Sequence, residues 1–132
     1  MIRAACVTET ISGAIAVETR SIVEQPLIRA VIEQIARDEA RHMRFGWLYM
    51  EWAVLDMSDA ERARLGRVTV EELAKLSHSW LRAPGSRHGR DFGWLEVEAF
   101  RARMRPTILD DIVAPLEKLG IPIDREAVSA LL

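Results

Sequence analysis

Residues 26–55 read PLIRAVIEQIARDEARHMRFGWLYMEWAVL, and this stretch decides the fold. At about 100° per residue, Ile28, Ile32, Ile35, Met43, Gly46, Met50 and Ala53 fall in one arc, while Glu33, Arg37, Arg41, Arg44 and Glu51 fall opposite. The pattern predicts a strongly amphipathic helix from Pro26 to about Leu55. At 1.5 Å per residue such a helix is roughly 45 Å long, a dimension typical of long-helix bundles.

The residues before it supply a packing partner. Residues 1–23 contain no proline, and their apolar positions wrap nearly the whole way round a helix. Ala5, Cys6, Gly13 and Ala16 lie on one side, with Val7, Ile11, Ala14 and Ile15 on the other, which predicts a helix buried on most sides. Pro26 disfavours helical dihedrals at Gln25 and suits the first turn of the next helix, so the chain should reverse tightly near Glu24. Only Gly13, Pro26 and Gly46 punctuate residues 1–57. The expected architecture is therefore all-α, beginning with a long antiparallel helix hairpin over residues 1–57.

Residues 58–132 read as a helical extension packing on that hairpin within one domain. Ser58 followed three residues later by Glu61 forms a capping box and should start a third helix. We expect that helix to break around Gly66 to Thr69 and to resume from Val70 to about Leu81. Residues 83–91, rich in Gly, Pro, Ser and charge, read as loop. Leu95 to about Leu119 is helical in pattern, with Pro106 and Pro115 expected to kink or divide it. Gly120-Ile121-Pro122 ends that segment, and Asp124 should cap a last short turn.

Composition bounds the function. The chain has 132 residues, 49% of them hydrophobic and 29% charged, which is the balance of a soluble globular domain. Eighteen basic against 20 acidic residues leave a net charge of −2, so no positive field is present to hold a nucleic-acid backbone. No apolar run approaches the roughly 18 residues of a membrane span. Thr8, Glu9 and Thr10 interrupt any secretion-type apolar segment, and the first residues read as mature protein. Cys6 is the single cysteine, which excludes an intrachain disulfide and Cys-cluster metal sites. A reducing, cytoplasmic setting is expected.

One constellation carries chemistry. Asp38-Glu39-Ala40-Arg41-His42 places Glu39 and His42 one turn apart on one side of the long helix, inside its apolar arc. A carboxylate buried without a partner costs several kcal/mol, so Glu39 must meet a cation, a hydrogen-bond network or a metal. Glu9 stands 15 residues before the expected turn and Glu39 15 after it, so an antiparallel hairpin brings both to one level, about 22 Å from the turn. Small residues around Glu9 (Ala5, Ser12, Gly13, Ala16) would let the helices approach closely. Two carboxylates and an imidazole suit iron or manganese rather than a thiolate metal.

At these residues the chain resembles the ferritin-like di-iron carboxylate proteins, whose bundles take one Glu and one Glu-x-x-His from each of two helix pairs. Residues 6–10, Cys-Val-Thr-Glu-Thr, and residues 38–42 look like the second, C-terminal pair. The resemblance is specific over residues 1–57; the later Gly93-Trp94-Leu95 and Ile121-Pro122 segments match only in style. It implies that Glu9, Glu39 and His42 are metal ligands, that iron is the metal with manganese as the substitute, and that the activity is oxidase or oxygenase chemistry with dioxygen. It also implies that Asp38 hydrogen-bonds a metal-bound histidine of the opposite helix pair. The ligand set is only half complete, because neither His78 nor His88 has a glutamate three residues earlier. Two readings follow. Either a homodimer or another bundle-completing chain supplies the other half, as in encapsulated ferritins, or the chain is a metal-free helical interaction domain or a truncated remnant.

Other eye-catching residues have plainer readings. Cys6 is a small core residue, and Met43, Met50 and Met57 fill the core. Arg37, Arg41 and Arg44 form a solvated stripe. Trp47 and Trp52 flank the apolar arc, where they should pack against the C-terminal helices or a second subunit.

Overall fold

The structure is a computed structural model that describes residues 1–80 and 95–132. Its ordered elements are helical, with no strand among the described residues. A π-helical segment, Ile2–Thr8, runs straight into α1, Glu9–Ile22. Then come α2, Pro26–Ala53, closed by a short 3₁₀ turn, Val54–Asp56, and α3, Asp59–Trp80. The C-terminal part holds α4, Val97–Pro106, a second π-helical segment, Thr107–Val113, α5, Ala114–Lys118, and α6, Arg125–Ser129.

The hairpin forms as its punctuation requires. Val23 and Gln25 are extended, with ψ of 126° and 118°, and Pro26 occupies the first turn of α2. Arg29 ties the reversal together, its Nε and Nη2 donating to the Val23 carbonyl at 3.2 and 2.7 Å. Further along, the helices come close enough that a Cβ at Gly46 would strike the Ala5 carbonyl. The Cys6 thiol donates to the Gly46 carbonyl at 3.6 Å across this contact, and Trp47 Nε1 donates to Thr10 Oγ1 at 3.2 Å. Burial pushes the Cys6 thiol up to about 12, which keeps it protonated and inert, the core residue expected of it.

The core lies mainly on the far side of α1 from α2. There Ile2, Val7 and Ile11 pack with Leu73, Met104, Ile108, Ile112, Leu116, Ile121 and Val128. α1 is thus covered by α2 on one flank and by α4 and the second π-helical segment on the other. The late stretch stays helical without a gap through Pro106 and Pro115, with αR dihedrals at Pro106, Thr107, Val113 and Ala114, and changes its hydrogen-bond pattern to π between them instead of dividing. Gly120, at φ 76°, takes the left-handed conformation that stops α5, while Ile121 N donates back to the Leu116 carbonyl at 3.0 Å. Asp124 Oδ1 caps α6 by accepting from Ala127 N at 2.9 Å. Residues 83–91, His88 and Gly93-Trp94 lie outside the described residues.

Two further expectations are corrected. First, α3 does not break at Gly66 to Thr69. Gly66 serves packing, since a Cβ there would strike the Pro122 carbonyl, and Thr69, fully buried, returns its hydroxyl to the Leu65 carbonyl at 3.0 Å within the helix. The capping box at its start is as expected, Glu61 Oε2 accepting from Ser58 N at 2.8 Å. Arg62, one turn in, donates to the carbonyls of Val54, Met57 and Leu119 and so joins the end of α2 to the end of α5. Second, α2 does not bury its apolar arc. Gly46 and Met50 are its only buried residues, Ile35 is 40% exposed, and Trp52 is 64% exposed rather than packed on the C-terminal helices. α1 is one helix wide and covers only part of a broad arc.

Candidate metal centre

The hairpin register delivers the three expected ligands to one place. α1 and α2 are antiparallel and in contact, and Glu9, in the first turn of α1, meets Glu39 and His42 of α2. His42 Nδ1 lies 3.7 Å from Glu9 Oε2 and 3.7 Å from Glu39 Oε2. One ligand atom from each of the three residues lies within 4.8 Å of the others. The small residues beside Glu9 permit this approach: a Cβ on Gly13 would rest at ordinary contact distance, 3.8 Å, from Glu39 Cβ.

Burial is graded across the cluster. The side chain of Glu39 is 19% exposed, that of Glu9 29% and that of His42 62%. His42 therefore sits at the rim with its ring toward solvent, which corrects the expectation of a constellation enclosed in apolar walls. The reason is again the width of the arc: His42 is turned about 60° from Glu39, beyond the reach of α1.

The electrostatics mark Glu39 as the strained member. Its Oε1 accepts from Ser12 Oγ at 3.3 Å, whereas its Oε2 is buried and, among the described residues, has no permanent donor, the Glu9 carboxyl serving the Glu39 carboxylate only while Glu9 is protonated. Two carboxylates with oxygens within 4.8 Å repel by roughly 3 kcal/mol or more at an effective dielectric of 20, before solvent screening. The Glu9 carboxyl is held above its ordinary range, first by its hydrogen bond with the Glu39 carboxyl, then by burial and the Glu39 charge, with His42 acting in the opposite direction. Ser12 is a participant that sequence reading had noted only for its size. Its place one turn after Glu9, on the same side of α1, was the available signal.

Asp38 stands apart from this triad. It accepts from Gln34 Nε2 at 3.2 and 3.1 Å and lies 3.6 Å from Arg41 Nη1, all within α2. Its side chain is 46% exposed, and its position lies about 100° round the helix from Glu39. Glu9, Glu39 and His42 are the only such group of potential metal ligands among the described residues. No described helix is long and apolar enough to cross a membrane. Comparisons of the chain with protein families, with characterised proteins and with solved structures gave no match.

Proposed function

We propose that Glu9, Glu39 and His42 bind a transition-metal ion, iron before manganese, and that the chain is a ferritin-like di-iron carboxylate protein whose site is completed by a second copy. The observation that carries this reading is the buried Glu39 Oε2, which has no permanent donor among the described residues and is grouped with a second carboxylate and an imidazole. A buried anionic oxygen in that setting is satisfied most fully by a cation.

The donor set fits. An ion bound at about 2.1 Å holds neighbouring ligand atoms about 3.0 Å apart at right angles and about 3.4 Å apart at tetrahedral angles. The 3.7 Å separations of His42 Nδ1 from the two carboxylates need to close by about 0.3 Å for the tetrahedral case and about 0.7 Å for the right-angled one. Oxygen and nitrogen donors without sulfur favour iron or manganese over thiolate-selecting metals. When bound, a pair of iron ions would supply redox chemistry toward dioxygen. The chain's own contribution is to neutralise the metal's charge through Glu9 and Glu39, to orient Glu39 through Ser12, and to leave His42 at an open rim that a partner must cover.

Anaerobic ferrous titration followed by oxygen tests the proposal. Iron uptake and an oxo-bridged absorption band are expected, and both should disappear in Glu39→Ala/His42→Ala. Wild-type protein that takes up no iron, or a double variant that takes up as much, would leave the metal-free helical domain as the correct reading.

A further inference from the structure

A cleft opens where α3, α4 and α6 meet. Along α4 and the π-helical segment after it, Val97, Phe100, Arg101, Met104 and Ile108 recur at intervals of one to four residues on one face of the stretch, and that face lines the cleft. α3 contributes Leu73 and Ser77, one turn apart, while Val128 of α6 and Ala130 just after it close the other side. The cleft has a volume of about 280 Å³ and shares no residue with the Glu9, Glu39 and His42 cluster. An apolar cavity of roughly 150 Å³ takes a benzene ring, and by that scale this cleft takes roughly ten non-hydrogen atoms.

Its chemistry is divided. Leu73, Met104, Ile108 and Val128 are each 2% exposed or less and make an apolar floor. Ser77 Oγ donates to the Ala74 carbonyl at 2.9 Å, so its one proton is engaged within α3. Arg101 is different. Its residue is exposed, and among the described residues it makes no ion pair, although Glu98 stands one turn before it. No acidic side chain lines the cleft among the described residues, so the guanidinium is the lining's one charged side chain. A buried apolar floor beneath a planar cation with several donors complements a molecule that has an apolar body and a flat anionic head.

We infer that this cleft binds a small amphipathic carboxylate, its apolar body on Leu73, Met104 and Val128 and its head on the Arg101 guanidinium. The floor supplies affinity by removing apolar surface from water, and Arg101 supplies the choice of head. The site is independent of the proposed metal centre and is tested on metal-free protein.

Octanoate, 1-octanol and acetate, titrated into the chain by calorimetry, separate the two parts of such a ligand. Octanoate is expected to bind saturably, one per chain, with a dissociation constant at or below about 1 mM. Octanol is expected to bind more weakly through its tail alone, and acetate not to bind. Raising the salt concentration should weaken octanoate and leave octanol unchanged. Arg101→Gln should weaken octanoate about three- to tenfold, with Arg101→Lys retaining part of the difference. Ala130→Phe, a change at an exposed position that fills the cleft, should block octanoate with unchanged helix content. Absence of saturable octanoate binding overturns the inference, as does octanol binding as tightly as octanoate. Wild-type octanoate affinity in Arg101→Gln or in Ala130→Phe overturns it equally.

Discussion

The two long helices of the hairpin face each other yet occupy different surroundings. α1 buries five of its 14 residues, α2 two of its 28. α1 is wedged between α2 and the C-terminal helices and carries the core, whereas α2 leans on α1 along one narrow line and leaves a broad apolar flank outside. The difference teaches where the chain is held together and where it carries its candidate ligands. Glu9 is set in the supported helix and defines a rigid level. Glu39 and His42 are set on the outer helix, one turned inward and one turned out.

Substitutions on the two sides should separate sharply. Ile112→Ala and Leu116→Ala remove fully buried side chains from the covered side and should cost about 2–5 kcal/mol each in urea unfolding. Val31→Ala, on the open flank, should change stability by less than about 0.5 kcal/mol in protein dilute enough to keep the copies apart. Equal costs would erase the distinction. The hairpin contact itself offers a second comparison. Gly46→Ala drives a methyl group into the Ala5 carbonyl and should cost about 1–3 kcal/mol. Gly13→Ala meets only ordinary contact with Glu39 Cβ and should stabilise by up to about 1 kcal/mol through helix propensity. A destabilised Gly13→Ala would show the helices to be tighter beside the cluster than described.

The smallest expected effect concerns pH. Because the Glu9 carboxyl is held above its ordinary range, the folded metal-free chain keeps a proton there that the unfolded chain has released. Its contribution is fully present below the ordinary glutamate value and is lost as pH rises through the raised one. Glu61 and Glu117 act oppositely: hydrogen bonds from Ser58 and from Arg125 hold them below the ordinary range, so their contribution is lost as pH falls. Comparing wild type with Glu9→Gln isolates the first effect. Wild type should lose ground to the variant as pH climbs above the ordinary glutamate value in metal-free buffer, and parallel curves would show that the Glu9 carboxyl is not held above its ordinary range.

Much of this arrangement was legible from the residues. Pro26, the one proline of residues 1–57, located the reversal, and the fixed helical rise then set Glu9 level with Glu39. The small residues around Glu9 announced the close approach that Ala5 and Gly46 make. What could not be read was how far around α2 its partner reaches. Periodicity marks an apolar arc but not which part of it a given neighbour covers, so His42 looked enclosed when it stands at a rim. Gly66 misled for a related reason: a glycine that admits a distant backbone, here at Pro122, looks the same in sequence as one that interrupts a helix. The π-helical segments left no periodic mark, and the three-carbonyl grip of Arg62 depends on chain ends that meet only after folding.

The central claim is that α1 and α2 together form half of a metal site. Native mass spectrometry of iron-loaded protein, reading particle mass and metal count together, tests it most directly. The account predicts a particle of about 30 kDa, twice the 14.9 kDa chain, with one iron per chain that is lost in Glu39→Ala/His42→Ala. A particle free of iron, or one whose iron survives that double substitution, would contradict it.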